Sequence, residues 1–231
     1  MARSPWQLIS EGKYEEAIDE FSAVLGKSPL AMNWGNRGLA YLAVQDYESA
    51  VSDFRRYVEL DPRSDHGYIF LGVSQWCSNR PREAVETWRR GLDAAFTDAA
   101  GGVELPATLL YAAARLNDES LLNEFQQRLR KMLRRTSIRN WPGALAPYLL
   151  DKMTAQELEL VAESGVVSPI LLARHRCQVE FFVGTHALLQ KDSDMFQQHM
   201  RACSTIDCQL LEHVFFIATW EVRQGFPALT S

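Results

Sequence analysis

The feature that most constrains this chain is a pattern of small and aromatic residues that recurs every 33 or 34 positions. An alanine recurs at positions 17, 50 and 84, and an aromatic residue follows four positions later each time, at 21, 54 and 88. Residues four apart lie on one face of a helix, one turn from each other. The pattern therefore predicts three equivalent helices, each presenting a small and a bulky residue to the same neighbour.

Further residues complete the repeated unit and predict a pair of antiparallel helices. Gly38 and Gly72 lie in the preceding helix of their units, where a side chain would push two close helices apart. Pro29 and Pro62 end the second helix of theirs, because proline cannot donate the N–H that a helix requires. A single hairpin leaves an apolar face uncovered, and stacking the next hairpin covers it.

These residues resemble the tetratricopeptide repeat, whose period is about 34 residues. The resemblance is specific over residues 10–95 and weak over 105–225. It implies an all-α fold, a tetratricopeptide-repeat-like α-solenoid of antiparallel helical hairpins. We expect this solenoid to be regular in the N-terminal half and degenerate in the C-terminal half.

The second half of the chain keeps helical periodicity but loses the regular repeat. Residues 97–102 end in two glycines and predict a flexible connector, and residues 105–135 predict a hairpin. Gly184 fills the glycine position of the repeat, whereas Phe196 stands where the earlier units have alanine. A closing helix is expected over 210–223. We expect three segments: three hairpins over 1–96, a connector and irregular hairpin over 97–135, and degenerate repeats with the closing helix over 136–231.

Composition excludes several classes of protein. Hydrophobic residues make up 47% and charged residues 23% of the 231 residues, which argues against disorder, and the net charge of −5 disfavours non-specific binding of nucleic acid. Four scattered cysteines cannot form a disulfide framework in a chain of this length. The sequence shows neither a signal-peptide pattern nor an apolar run long enough to span a membrane. We therefore expect a cytoplasmic protein that binds neither nucleic acid nor membrane.

One group of histidines and cysteines has the chemistry of a metal site. His199 and Cys203 are four positions apart on one helical face, and Cys208 and His213 follow. Imidazole and thiolate groups form tetrahedral zinc sites, but this spacing matches no usual finger. The alternative is that Cys203 fills a small buried position of the repeat. We expect no metal and no cofactor.

Two further features have a binding and a structural interpretation. Gly101-Gly102 could form a phosphate-binding loop, but the lysine and further glycines of such loops are missing, so a linker is the preferred interpretation. A run of basic residues could attract phosphates or an acidic partner, or it could be the cationic end of a helix. That run comprises Arg128, Arg130, Lys131, Arg134, Arg135 and Arg139.

Catalytic patterns are missing from the sequence. It contains neither a Gly-x-Ser-x-Gly elbow nor a His-Glu-x-x-His pair, and its five histidines are dispersed. A triad assembled from distant segments stays open, because spacing cannot test it. We expect no enzyme, no catalytic residue and no small-molecule substrate, and a metal-dependent enzyme is the disfavoured alternative.

The resemblance also implies where a partner would bind. In tetratricopeptide repeats the first helices line a concave groove that accepts a peptide or a helix. Carried over position by position, the predicted partner-binding residues are Asn36, Leu39, His66, Ile69, Phe70, Val73 and Trp76. The alternative for the apolar ones is plain inter-helix core, and a Trp76 fully buried in its hairpin would remove the groove assignment. A carboxylate clamp for acidic chain ends is not expected, because Gly35 and Leu39 stand where it needs polar side chains.

The function that these observations favour is a non-enzymatic scaffold for protein–protein interaction. A weaker resemblance to small stand-alone bacterial repeat proteins rests on the opening Trp6–Ala17, the 98–103 connector and the Cys177–Gly184 helix. It implies a bacterial immunity protein that binds and neutralises a cognate toxin. The alternative is a general cytoplasmic adaptor or assembly factor that binds peptides in the concave groove.

Overall fold

The computed structural model describes residues 3–208 and 212–229, which group into two compact units. Residues 3–96 and 212–216 belong to the first unit, and residues 97–208 and 217–229 belong to the second. Regular structure in these described residues is helical, apart from one isolated bridge between Ser64 and Phe96. The all-α class predicted from the sequence is confirmed. The division into three segments stays a prediction.

Three helical hairpins build the first unit, and each helix packs against the next one along the chain. Their helices are α1 (Pro5–Ser10), α2 (Tyr14–Leu25), α3 (Ala31–Ala43), α4 (Tyr47–Leu60), α5 (Asp65–Cys77) and α6 (Pro81–Gly91). The tight turns inside the second and third hairpins use Gln45 and Asn79 with φ of 64° and 59°. Asp46 then starts α4 by accepting the Ser49 N–H at 3.1 Å, which satisfies a free donor at the helix N-terminus.

The residues that define the repeat pack as the sequence predicts. Ala17, Ala50 and Ala84 are completely buried. A Cβ added to Gly38 would lie 2.7 Å from the ring of Phe54, so only glycine permits this close approach of α3 to α4.

The third hairpin shows the same close approach. A Cβ on Gly72 of α5 would lie 2.5 Å from Cδ1 of Trp88 on α6. The Trp88 indole N–H donates to the Ile69 carbonyl at 3.0 Å, which fixes the ring in this position.

The second unit is also helical but less regular. It contains α7 (Glu104–Arg115), α8 (Glu119–Met132), a 3₁₀ turn (Thr136–Arg139), α9 (Leu145–Tyr148), α10 (Ala155–Glu163), α11 (Pro169–Leu189), α12 (Ser193–Thr205) and the later turns of α13 (His213–Arg223). The predicted hairpin over 105–135 is confirmed, with α8 ending at Met132. The closing helix begins at His213, and residues 210 and 211 of its predicted span lie outside the described residues.

The connector after the third hairpin is ordered, which corrects the expectation of a flexible linker. The Asp98 carboxylate accepts the backbone N–H groups of Ala100, Gly102 and Glu104 at 2.8, 3.0 and 2.9 Å. The Asp98 carboxylate therefore joins the two ends of the connector and occupies three of its backbone N–H donors. The phosphate-binding interpretation of Gly101-Gly102 loses its donors for the same reason.

The degenerate repeat keeps a close contact between a glycine and the next helix, but the glycine faces a methionine instead of an aromatic ring. A Cβ on Gly184 of α11 would lie 2.7 Å from the end of Met200 on α12. Phe196, which replaces the expected alanine, is 3% exposed and packs edge-on against Phe226 with ring centroids 5.8 Å apart. The second unit thus accommodates the larger side chain by packing it against a residue that follows α13.

Among the described residues, no helix combines the length and apolar character that crossing a membrane requires. None of the four cysteines forms a disulfide, and all four are buried.

Candidate functional site

Helix α5 carries most of the predicted partner-binding residues and is almost entirely enclosed. Every residue of Asp65–Cys77 except His66 is buried. Most side chains around the helix are apolar or aromatic, so it has no polar face to turn to solvent. A helix that is apolar all round is a core helix rather than a surface helix.

The seven predicted partner-binding residues divide into two groups. His66 is exposed and Asn36 is half-buried. The other five are at most 6% exposed, and they are Leu39, Ile69, Phe70, Val73 and Trp76. Of these seven residues, only Asn36 and His66 are therefore accessible in the described conformation. Partner contact at all seven positions stays a prediction.

Part of the α5 face is covered by a distant segment of the same chain. The ring of Phe70 lies edge-on to His213 and to Phe216, with centroid separations of 6.4 and 6.3 Å. The Cys77 thiol, two helical turns from Phe70, lies 3.8 Å from the Phe216 carbonyl oxygen, to which it donates. We call residues 212–216 the covering segment. It occupies the surface that the sequence assigned to a partner.

Trp76 lies inside its own hairpin. It is 1% exposed, and its ring packs on Trp88 of α6 with centroids 5.7 Å apart and planes tilted by 31°. This placement favours the core alternative for Trp76. The apolar composition of the whole helix is a sequence signal that points to the same result.

The exposed end of the predicted groove is organised by Tyr57 of α4. Its ring fills the space beside Gly35 of α3 and Gly67 of α5. A Cβ added to Gly35 would lie 2.7 Å from the ring, and a Cβ added to Gly67 would lie 2.5 Å from it. The buried position raises the pKa of the Tyr57 hydroxyl, so the phenol stays neutral near pH 7. Asn36 follows Gly35, and His66 precedes Gly67.

These neighbours define an accessible surface at the first turns of α3 and α5. The His66 ring packs on Tyr57 at 5.6 Å and on Phe70 at 4.8 Å between centroids. On α3, Met32 is 69% exposed one turn before Asn36. We call Met32, Asn36 and His66 the open edge. It combines a flexible apolar side chain, an amide and an imidazole, which suits contact with a protein surface.

A partly buried ion pair joins the first two hairpins. Arg37 donates two hydrogen bonds of 2.8 Å to the Asp53 carboxylate and a third, of 2.9 Å, to the Ser22 hydroxyl. The hydrogen bonds to Asp53 raise the pKa of Arg37. Burial raises the pKa of Asp53 against the opposing effect of Arg37. The bidentate geometry fixes α3 against α2 and α4.

A second buried cluster lies in the other unit. The Glu221 carboxylate accepts the Tyr111 hydroxyl at 2.5 Å and two Arg115 N–H groups at 2.6 and 3.0 Å. Burial and the neighbouring carboxylate raise the pKa of Tyr111 well above its usual value. Glu221 is fully buried, and its hydrogen bonds hold α7 to α13.

The possible zinc ligands are engaged elsewhere. His199 Nδ1 lies 2.7 Å from the Glu180 carboxylate, and the Cys203 sulfur lies 3.3 Å from that of Cys177. Cys208 and His213 are buried. In the part of the chain that the structure describes, no three His, Cys, Asp or Glu side chains are arranged to hold a metal ion.

An open cleft of about 520 Å³ lies on the outer side of α4, a feature that the sequence did not predict. Its lining residues are Trp34, Glu48, Val51, Ser52, Arg55, Arg56 and Glu59. The indole N–H of Trp34 is buried without a hydrogen-bond partner among the described residues. Two of the acidic residues that line the cleft form ion pairs: Glu59 pairs with Arg56, and Glu48 pairs with Arg80.

The comparisons with known proteins agree with the repeat architecture. The tetratricopeptide repeat model matches residues 33–64, which cover the second hairpin. A yeast relative (Saccharomyces cerevisiae), the small glutamine-rich tetratricopeptide repeat-containing protein 2, is 31% identical over 81 residues, or 35% of this chain and 23% of that protein. The wheat (Triticum aestivum) Hsp70-Hsp90 organizing protein is 24% identical over 178 residues, or 70% of this chain and 31% of that protein. The comparisons thus support a tetratricopeptide repeat at the second hairpin.

These relatives are much longer than the matched region. The human serine/threonine-protein phosphatase 5 matches over 76 residues at 34% identity, which is 32% of this chain and only 15% of the phosphatase. The chain spans less than a third of the length of each of the three relatives. Among solved structures, the one titled "Structure of Naa15/Naa10 bound to HypK-THB" aligns over 96% of this chain and 34% of that chain, with 14% identity and a TM-score of 0.45.

Proposed function

We propose that this chain is a non-enzymatic scaffold that binds a segment of a partner protein at its tetratricopeptide hairpins. The observation that carries the proposal is the covering segment on α5. An aromatic face on a first helix of a repeat already holds a peptide segment, with ring contacts from Phe70 and a thiol contact from Cys77. A surface that binds a segment of its own chain has the shape and chemistry to bind proteins.

The partner is proposed to bind at the open edge beside the covered face. Met32, Asn36 and His66 are accessible there, whereas Phe70 and Trp76 are enclosed. The relatives support a protein as the class of partner, since one of them is by name an organizing protein for Hsp70 and Hsp90. For the present chain we propose only the class of partner, a protein, in the reducing cytoplasm that four cysteines without disulfides favour.

Between the two predicted functions, the adaptor is better supported than the immunity protein. The relatives named above are eukaryotic, and none of their names refers to a toxin. A toxin inhibitor should bind one partner at nanomolar strength over a large interface, whereas an adaptor binds several clients at micromolar strength. The number of partners and their affinities separate these two functions.

Affinity purification from the native host with quantitative mass spectrometry tests the proposal. The bait is the full chain, compared with the double variant Asn36→Ala/His66→Ala and with Ser52→Ala/Glu59→Ala, whose positions are exposed on α4. We expect the same partner with the wild type and the α4 control and a loss of about tenfold or more with the open-edge variant. Retention by the open-edge variant, or loss only with the α4 control, contradicts the proposed surface.

A further inference from the structure

An uninterrupted basic stretch follows the middle of α8. From residue 125 to residue 150 the sequence contains no aspartate or glutamate, while it contains six basic residues. Subtracting these six positive charges from the net charge of −5 leaves −11 for the rest of the chain. The stretch is therefore a local reversal of charge in an otherwise acidic protein. We call its charged part, residues 128–139, the basic segment.

The structure places every charge of the basic segment in solvent. All six basic side chains are exposed, in the last turns of α8, in the turn after it and at the end of the 3₁₀ helix. Five of them form no ion pair with any carboxylate in the described ranges, and these are Arg130, Lys131, Arg134, Arg135 and Arg139. Their recorded partners are neutral: Arg130 donates to the Gln126 amide at 3.3 Å, and Arg135 donates to the Gly101 carbonyl at 2.8 Å.

The backbone under these charges is fixed by contacts to the neighbouring connector. The Arg135 contact to Gly101 is accompanied by the Ser137 hydroxyl, which donates to the Ala100 carbonyl at 3.0 Å. Asp98 closes the same connector by accepting three of its N–H groups. The basic segment is thus held on an ordered loop, so a ligand need not pay the entropy of ordering a free chain.

The far end of the stretch is anchored as well. The Trp141 indole N–H donates to Gln178 at 2.8 Å, and the Gln178 amide donates to Glu104 at 2.9 Å. This chain of hydrogen bonds fixes Trp141, two positions after the basic segment, to α11 and α7. Both ends of the segment are therefore tied to the body of the second unit.

A cationic helix end explains only part of this arrangement. Arg130 and Lys131 lie in the last turn of α8, where positive charge stabilises the helix dipole. Arg134, Arg135 and Arg139 lie beyond the helix, and the dipole effect falls off within its last turn. Close like charges without counter-charges repel one another, so their common placement favours an anionic ligand.

Among anionic ligands, an acidic protein segment fits this surface better than nucleic acid. Single-stranded nucleic acid is usually held by aromatic rings that stack on its bases. Here Phe125 is fully buried and Trp141 is hydrogen-bonded to Gln178. The positive charge is confined to the twelve positions 128–139, which matches a short acidic protein segment better than a long polyanion.

We propose that the basic segment is a second docking surface, which binds a short run of aspartate or glutamate residues in the partner protein. The inference rests on the proposed function, since it assumes a protein partner, but it concerns a different surface from the open edge. Arginine and carboxylate groups meet there in charge-assisted hydrogen bonds. Binding is expected to weaken as salt concentration rises, because the charges are exposed.

Fluorescence anisotropy with the full-length chain tests this docking surface. The probe is a labelled peptide of alternating glutamate and glycine, and a glutamine–glycine peptide of the same length is the uncharged reference. The test variant is Arg130→Glu/Arg134→Glu/Arg139→Glu, which spares the anchoring Arg135. The control Arg55→Glu/Arg56→Glu/Arg82→Glu changes the net charge equally at exposed positions of the first unit. Circular dichroism confirms that each variant is folded.

We expect the acidic peptide to bind the wild type and the control, and we expect the test variant to bind at least about tenfold more weakly. No binding of the acidic peptide, an equal loss with the control, or tighter binding of a single-stranded RNA of equal charge overturns the inference. Cosedimentation with anionic lipid vesicles in preference to peptide binding overturns it too. Purification with the open-edge variant reports separately on the proposed function, so either proposal can fail alone.

Discussion

The ring of Phe216 lies edge-on to the ring of Phe70, with centroids 6.3 Å apart, although 146 positions separate the two residues in the sequence. Phe216 therefore fills part of the face of α5 that a partner was expected to contact. This contact, together with the rings of Phe54 and His66, leaves Phe70 only 3% exposed. It also leaves Asn36 and His66 as the accessible residues of the predicted site.

The packing of Gly72 against Trp88 predicts a large effect from one methyl group. Gly72→Ala would place a Cβ 2.5 Å from Trp88 Cδ1, in a ring that is fixed by its hydrogen bond to Ile69. We expect the free energy of unfolding to fall by about 1–3 kcal/mol, as is usual for overpacking in a core. Chemical denaturation followed by circular dichroism measures this change.

A matched control for this substitution is Gly26→Ala. Gly26 has a helical φ of −61°, and its added Cβ would find its nearest neighbours at 3.6 Å. We expect no loss of stability there, and a gain of up to about 1 kcal/mol from the stiffer unfolded chain. Equal effects at the two glycines would contradict the close approach of α5 to α6.

The buried cluster around Glu221 predicts a strong dependence on one carboxylate. Glu221→Gln leaves the Arg115 guanidinium, which is 10% exposed, without its counter-charge. We expect unfolding to become easier by about 3–5 kcal/mol, because an unpaired buried charge is costly. The exposed pair of Glu163 with Arg176 offers the comparison, and Glu163→Gln should cost no more than about 1 kcal/mol. A thermal or urea titration in which both variants behave alike rules out a stabilising role for the cluster.

Tyr148 predicts a loss of stability at alkaline pH. Burial raises its pKa from 10.0 to about 12, with a further contribution from Asp151 and Glu159. Because the folded pKa exceeds the unfolded one, the folded state keeps the proton more tightly. This stabilisation is fully present below pH 10 and is lost as the pH rises towards 12.

The variant Tyr148→Phe isolates this contribution. As the pH rises from 10 to 12, the unfolding free energy of the wild type should fall by about 2 kcal/mol more than that of the variant. Urea titrations of both proteins at a series of pH values measure the difference. Parallel curves would mean that Tyr148 titrates alike in the folded and unfolded chains.

The burial of the four cysteines predicts that a thiol reagent reaches them only after unfolding. All four cysteines are buried and none forms a disulfide, and the sulfurs of Cys177 and Cys203 lie 3.3 Å apart between α11 and α12. Since the reactive thiolate needs access to the reagent, we expect Ellman's reagent to label none of them quickly in the native protein and all four in urea. Rapid labelling before denaturation would be inconsistent with the buried positions.

The spacing of small and aromatic residues predicted the repeats well, because the residues that pack together within a hairpin are close in sequence. The alanines, aromatics and glycines of the hairpins act within about 20 positions of one another, and Gly38 meets Phe54 as expected. The site was harder to predict, because the contact of Phe70 with Phe216 joins residues that lie 146 positions apart. Periodicity also cannot distinguish an exposed groove from a covered one, although the apolar character of all sides of α5 was a usable signal.

The connector illustrates a second limit of sequence patterns. Two glycines predicted flexibility, and both adopt positive φ values of 81° and 88°. The order of the loop comes from one side chain, Asp98, whose hydrogen bonds to three N–H groups depend on the folded path of the backbone. Composition alone does not reveal such a closure.

Hydrogen–deuterium exchange of α5 in the wild type and in Phe216→Ser tests most directly whether the chain covers its own α5 face. Slow exchange is expected over Asp65–Cys77 in the wild type. In the variant, loss of the buried ring should speed exchange there by about tenfold or more, while α2 (Tyr14–Leu25) is unchanged. Fast exchange of α5 in the wild type, or an α5 that is indifferent to Phe216→Ser, would contradict the covering of this face by the chain itself.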